Sequence, residues 1–198
     1  MTIQILLALL LGYLLGSLPF AVIVSRAFGL PDPRTVGSKN PGATNVLRSG
    51  NKIAALLTLL GDALKGWLAM FFAQRCNVDG SVILLAGLAA FFGHVFPIFL
   101  RFKGGKGVAT ALGVLAGISG WLAIACAGTW LATAIAFRYS SLAAVMAALL
   151  APVIGWGLGL STSSLFAVSL MSSLLIFRHR SNIRSLLAGT EGKLGKGS

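Results

Sequence analysis

Two stretches of this chain combine cations, hydrogen-bond donors and glycines in the way an anion site requires. Over 29–52 the sequence reads GLPDPRTVGSKNPGATNVLRSGNK. Its prolines forbid a continuous helix. Its glycines, Gly42 among them, open the positive-φ region, so that backbone N–H groups of a segment such as Gly42-Ala43-Thr44 can converge on one anion. Ser38, Asn40, Thr44 and Asn45 add side-chain donors, and Arg48 adds a planar fork that grips two phosphate or carboxylate oxygens at once. Over 101–110 the sequence reads RFKGGKGVAT, with Lys103 and Lys106 set among Gly104, Gly105 and Gly107. This is not a Walker loop. Leu100 stands where that motif needs its first glycine, and Gly107 where it needs Ser or Thr after the lysine. An NTPase is therefore set aside, while a backbone nest with Lys106 still suits a phosphate as part of another site.

A third polar segment, FRHRSNIRSLLAGTEGK at 177–193, follows the last apolar run. His179 and Asn182 are three apart, so one helical turn puts both near one face. Glu191 is the acid of this region, expected to tie Lys193 or a loop arginine in place. Ser140 and Ser141 stand beside Arg138 and supply hydroxyls. His94 lies two residues before Phe96-Pro97 and is expected to orient a neighbour or a ligand rather than to move a proton. Taken singly, each segment has a plainer reading: a turn-rich loop, a basic membrane edge, a surface-anchoring helix, a histidine bonded to a carbonyl. Taken together, basic segments with hardly any acid opposing them argue for an anion, most of all a phosphate.

These segments must be positioned by an apolar body. Of 198 residues, 57% are hydrophobic and only 10% charged, far from the composition of a soluble domain. The chain is expected to be an all-α polytopic membrane protein, one domain over 1–198. Apolar runs lie at about 3–25, 53–74, 81–100, 109–137 and 142–177; the last two are too long for one span each. GISG at 117–120 and GLGLSTSS at 157–164 are expected to break them. The opening lacks a basic n-region and a cleavage site, and it reads as a retained first span.

The charge is strongly one-sided, with 16 Lys and Arg against 4 acids. Of those cations, 14 fall in four groups: Arg26 to Lys52, Arg101 to Lys106, Arg138 alone, and Arg178 to Lys196. If all four groups face the cytoplasm, an even number of spans separates each pair. The simplest count is seven spans, with the N-terminus outside and the C-terminus inside. Nucleic acid is not needed to explain the charge. Inside the second run, Asp62 and Lys65 stand three apart on one helical face. Such a pair is a functional candidate at membrane depth, but it partly neutralises itself, and a helix pin is the favoured reading. Cys76 and Cys126 have no ligand spacing and read as small hydrophobes.

GSKNPGATNVLR at 37–48, GHVFPIFLRFKGGKGVAT at 93–110 and HRSNIRSLLAGTE at 179–191 resemble three signature segments of the bacterial acyl-phosphate:glycerol-3-phosphate acyltransferases. GYLLGSLPFA at 12–21 and DALKG at 62–66 also look like family segments, so the resemblance covers almost the whole chain. It implies a seven-span enzyme of the bacterial inner membrane with its site at the cytoplasmic face. It implies transfer of a fatty acyl group from acyl phosphate to the 1-hydroxyl of glycerol 3-phosphate, without cofactor or metal. Membrane lipid is the surrounding partner, and a soluble enzyme that makes acyl phosphate is a possible functional one. By motif match, Ser38, Arg48, Lys106, His179 and Asn182 would hold the glycerol 3-phosphate phosphate. The segments containing Gly42, Ala43, Thr44 and Asn45, and Gly104, Gly105 and Gly107, would cradle the acyl phosphate, with Ser140 and Ser141. His94, Asn40, Lys103, Glu191 and Lys193 complete the expected site.

Two departures from the family pattern stand out. Ala21 replaces a glycine and Lys39 adds a charge; and Ser185 takes a position usually held by arginine, with Arg184 shifted by one, about 100° around a helix. The HxxxxD pair of soluble acyltransferases is absent: Phe99 follows His94 by five and Arg184 follows His179 by five. A transporter for anions, with Asp62, Lys65 and His94 as an intramembrane relay, is the rival from another class, and a lipid-binding scaffold is the third. The charge pattern predicts that an impermeant amine reagent labels Lys39, Lys106 and Lys193 only from the cytoplasmic side. Labelling of any of the three from the outside would break the topology.

Overall fold

A computed structural model describes residues 2–76 and 78–195, and all regular structure among these residues is helical. Lys196, counted above with the last basic group, lies outside the described residues. The helices are α1 Thr2–Gly16, α2 Phe20–Ala27, α3 Ala43–Arg48, α4 Lys52–Arg75, α5 Gly80–Val95, α6 Val108–Ile118, α7 Gly120–Phe137, α8 Ser140–Gly157, α9 Thr162–Arg178 and α10 Arg180–Leu187. Helices are what a membrane-spanning chain must form, since lipid offers no partner for a backbone N–H or C=O. Their outer surfaces fit that solvent. Large apolar side chains such as Trp121, Ile135, Trp156 and Phe166 are about 70% exposed, a pattern water would punish.

Five stretches are long and apolar enough to cross a membrane: Ile3–Ala27, Lys52–Arg75, Gly80–Leu100, Gly120–Phe137 and Ser140–Gly157. α6 and α9 are apolar but shorter, at 11 and 17 residues. At 1.5 Å per residue they measure about 16 and 25 Å against a hydrocarbon core of about 30 Å. The two long runs break where the glycine-rich stretches lie. Ser119 caps α7 by accepting from Leu122 N–H, and Ser161 caps α9 by accepting from Ser164 N–H. The first run, read as one retained span, stays one candidate span over Ile3–Ala27 but is not one continuous helix. It is interrupted at 17–19, because Pro19 has no N–H to donate and its ring cannot follow α1.

The chain divides into two compact units, Met1–Gly117 and Ile118–Ser198. In the first, α1 packs along α5 and both pack on α4. The α1–α5 contact is close enough that a Cβ on Gly16 would overlap the backbone of Ala90. Small residues at such crossings are how helices associate where lipid removes the hydrophobic drive. In the second unit, α8 packs against α7 and α9, with α10 beside α8 and α9. Its buried stripe Ala144, Ala148, Ala151 and Gly155 repeats every three or four residues.

Gly16→Val should therefore lower the melting temperature in detergent by the equivalent of about 1–3 kcal/mol. Gly80→Ala, at a position with no atom within 4 Å of the added Cβ, should leave it unchanged; equal shifts in both would refute the close-packing account.

Candidate anion-binding site

In the first unit, the loop before α3 is folded around Asn45, which is 3% exposed. Its Nδ2 donates to the carbonyls of Pro33 at 2.6 Å and Val36 at 3.1 Å, and its Oδ1 accepts from Ser38 N–H at 3.1 Å. Asn45, expected at the substrate, thus uses both ends of its amide on its own loop. That clamp sets the backbone of Gly37 and Lys39, both at positive φ, and presents Ser38 and Lys39 exposed. Asn40 and Gly42 close a tight turn through Gly42 N–H to Asn40 C=O. Ala43 and Thr44 begin α3, and Arg48 ends it with its side chain exposed. The one acid of this loop, Asp32, is held by the Arg34 guanidinium, whose hydrogen bonds keep its carboxyl below the usual carboxylate range.

The second loop folds back on the end of α5. Gly104 N–H donates to Val95 C=O and Gly105 N–H to His94 C=O, each at 3.2 Å. A side chain at Gly105 would collide with His94 Nε2 and crowd the carbonyl of Pro41. The loops carrying Ser38 and Lys106 therefore meet, through Pro41 and Gly105. Gly107 adopts φ +90° against the Phe91 ring, a conformation other residues rarely adopt and a place where a Cβ would meet that ring. Lys103 is exposed and Lys106 half-buried. Beneath the loops lies a cleft of about 210 Å³, counting its open mouth, lined among others by Pro41, Asp62, Lys65, His94, Gly104 and Gly105.

In the second unit, Glu191 is the organiser. Its Oε1 accepts from Ser141 Oγ at 2.6 Å and from Asn182 Nδ2 at 2.8 Å, joining the start of α8 to α10. This pairing replaces the expected tie to Lys193 or an arginine. Lys193 instead lies 5.5 Å over the Tyr139 ring, and Ser140 opens α8 half-buried. His179, 3% exposed, sits between α9 and α10 with Nδ1 2.8 Å from Leu175 C=O. A carbonyl only accepts, so Nδ1 carries the proton in this contact. The tail is bound back by Leu194 N–H to Arg138 C=O and by Arg138 Nη2 to Leu194 C=O.

Each unit thus displays donors and cations, with Asp32, Asp62 and Glu191 held by side-chain partners, which suits the binding of a phosphate. A family model described as glycerol-3-phosphate acyltransferase matches residues 6–189. The chain belongs to the glycerol-3-phosphate acyltransferase family. A relative of that description from Dechloromonas aromatica is 59% identical over 97% of both chains, and one from Aromatoleum aromaticum 57% over 96% of both. Crystal structures of PlsY, an integral membrane glycerol 3-phosphate acyltransferase, are also similar. The glycerol 3-phosphate form has a TM-score of 0.91 at 39% identity, and covers 96% of each chain. The lysophosphatidic acid form has a TM-score of 0.89 at 38% identity, covering 96% of this chain and 95% of that one.

Sequence reasoning for this family member missed two things. One is that Glu191 bridges Ser141 and Asn182, 50 and 9 residues away. The other is that Asp62 reaches His94 as well as Lys65. The second had a signal: a buried carboxylate needs partners, and His94 is the one ionisable side chain of the apolar run at 81–100. Because Asn45 closes three bonds, Asn45→Ala should destabilise the first unit by about 1–3 kcal/mol and expose 29–52 to protease. Asn45→Asp, which keeps an acceptor for Ser38 N–H but turns a second acceptor oxygen on the Pro33 and Val36 carbonyls, should do no better than alanine; an unchanged melting point in the alanine variant would remove the clamp.

Proposed function

We propose that this chain transfers a fatty acyl group from acyl phosphate to the 1-hydroxyl of sn-glycerol 3-phosphate, releasing lysophosphatidic acid and inorganic phosphate. The observation that supports this most is the whole-length similarity to an enzyme solved in glycerol 3-phosphate and lysophosphatidic acid forms. The resemblance of the three signature segments supports acyl phosphate as the donor. The reaction is the first acylation of phospholipid biosynthesis.

In this reading Ser38, Arg48, Lys106, His179 and Asn182 hold the glycerol 3-phosphate phosphate. Gly42, Ala43, Thr44, Gly104, Gly105, Gly107, Ser140 and Ser141 take the acyl phosphate, while Asn45, His94, Asn40, Lys103, Glu191 and Lys193 shape the surroundings. The glycerol oxygen attacks the acyl carbon directly. A C–O ester bond forms, the C–O bond to phosphate breaks, and the hydroxyl proton passes to the departing phosphate. A mixed anhydride carries a good leaving group, so no acyl-enzyme is required. Alignment of two bound reactants supplies roughly 7–11 kcal/mol of the barrier, and donors toward the tetrahedral oxyanion about 3–4. Cations offset the repulsion between two phosphates brought together.

The reading includes seven spans in a bacterial inner membrane, with α1 and α2 as one broken span, α4 to α9 as the others, and the site cytoplasmic. Trp121 at the start of α7 and Trp156 at the end of α8 lie at the end of that hairpin away from Arg138. This is the distribution of an aromatic belt opposite a positive cytoplasmic edge. The whole chain acts as one enzyme domain, with a soluble acyl-phosphate-producing enzyme as its functional partner.

Purified protein given palmitoyl phosphate and glycerol 3-phosphate should release phosphate, and palmitoyl-CoA should not replace the donor. Arg48→Ala and Lys106→Ala should each reduce turnover more than a hundredfold while the protein still inserts and elutes as a folded species. Near-parental rates from either variant would withdraw its assignment, and turnover with the CoA ester would withdraw the donor.

A further inference from the structure

Three ionisable side chains lie buried together in the first unit. Asp62 and Lys65 on α4 are each 2% exposed, and His94 on α5 is 7% exposed. Asp62 Oδ1 lies 2.7 Å from Lys65 Nζ and 3.4 Å from His94 Nδ1. Lys65 Nζ also donates to Leu18 C=O at 2.7 Å, so the ammonium is anchored on two sides. The other face of the His94 ring system, Nε2, abuts Gly105 so closely that no side chain fits there. The His94 and Val95 carbonyls receive the N–H groups of Gly105 and Gly104. The loop that carries Lys106 therefore rests on His94 through both its backbone and its ring.

Charge balance gives this arrangement a direction. One carboxylate and one ammonium already cancel, so a neutral His94 keeps the buried cluster neutral, the least costly state at this depth. A carboxylate beside Nδ1 favours the tautomer with its proton there, which leaves Nε2 as an acceptor facing the loop. Carboxylate–histidine pairs fix ring orientation and tautomer in this way at metal centres, where the ring serves a ligand; here it would serve a glycine loop.

We propose that Asp62 is a positioning residue for acyl transfer: it fixes the ring and tautomer of His94, and His94 in turn holds the Gly104–Gly107 loop so that Lys106 meets its phosphate. This rests on the reading that the loop binds a phosphate. Lys65 keeps the Asp62 charge compatible with burial.

The chain has two histidines, so ¹⁵N-histidine NMR of the detergent-solubilised protein resolves both rings, with a His179→Asn sample for assignment. His94 is expected as the neutral Nδ1–H tautomer. Finding it as Nε2–H, or as a cation at neutral pH, overturns the proposal without any substitution in the cluster. In Asp62→Leu/Lys65→Met, which removes both charges and leaves no lone buried ion, the tautomer preference should be lost. The turnover number should fall roughly 10- to 100-fold, and adding His94→Gln should cost little more, because the effect runs through that ring. Parental turnover in the charge-free variant, or a His94→Gln loss that multiplies in full on top of it, overturns the proposal. Lys106→Ala separates the two readings. If it is inactive while Asp62→Leu/Lys65→Met is fully active, only the positioning role falls. If Lys106→Ala is itself fully active, the phosphate loop falls and the positioning role with it.

Discussion

The first unit depends on one constraint: backbone and side-chain polar groups inside an apolar body must find partners there. Pro19 interrupts the first span and Pro97 ends the helix that packs beside it. Both interruptions release carbonyls and N–H groups from the helical ladder. Lys65 answers the first through Leu18 C=O, and Tyr13 answers the second by donating its hydroxyl to Phe96 C=O at 2.7 Å. Irregular backbone at membrane depth is tolerated when protein groups satisfy it. Asp62 is what allows Lys65 to be there at all. A charge pair of this kind adds little net stability, since desolvation offsets most of the attraction. Its effect is to specify geometry, fixing one place where α1, α4 and α5 meet.

The loops inherit that geometry. The interrupted end of α5 turns the chain back so that Gly104 and Gly105 bond to it, and the absence of side chains at those positions lets the loop lie flat on His94. The loop before α3 is organised differently, from within, by one buried amide. In the second unit a single carboxylate oxygen joins a serine and an asparagine from separate helices. Each device uses one polar side chain to set several backbone or side-chain groups. Phosphate recognition needs such stiffness, because donors that must be ordered at the moment of binding charge an entropy cost against affinity and rate.

Much was legible beforehand. The helical breaks at 117–120 and 157–164 followed from glycine and serine punctuation, and the three signature segments gave the family. The break in the first span was less legible, although Pro19 was in view, because an apolar run of the right length reads as one helix. Asn45 was legible as a donor but not as the centre of its loop. An amide can serve a ligand or the backbone equally well, and only the fold decides which lies within reach.

The sequence by itself determined the solvent, the helical class, the positions of the cations and the kinship. Those depend on composition, periodicity and local motif, which are properties of neighbours along the chain. Tertiary structure decided which polar groups answer one another: Asp62 with His94, Ser141 with Glu191, Lys65 with the carbonyl of Leu18. Partners 32 to 50 residues apart carry no mutual mark in the sequence. Their pairing is fixed by helix crossings, and those are set by where glycine and alanine let two backbones touch.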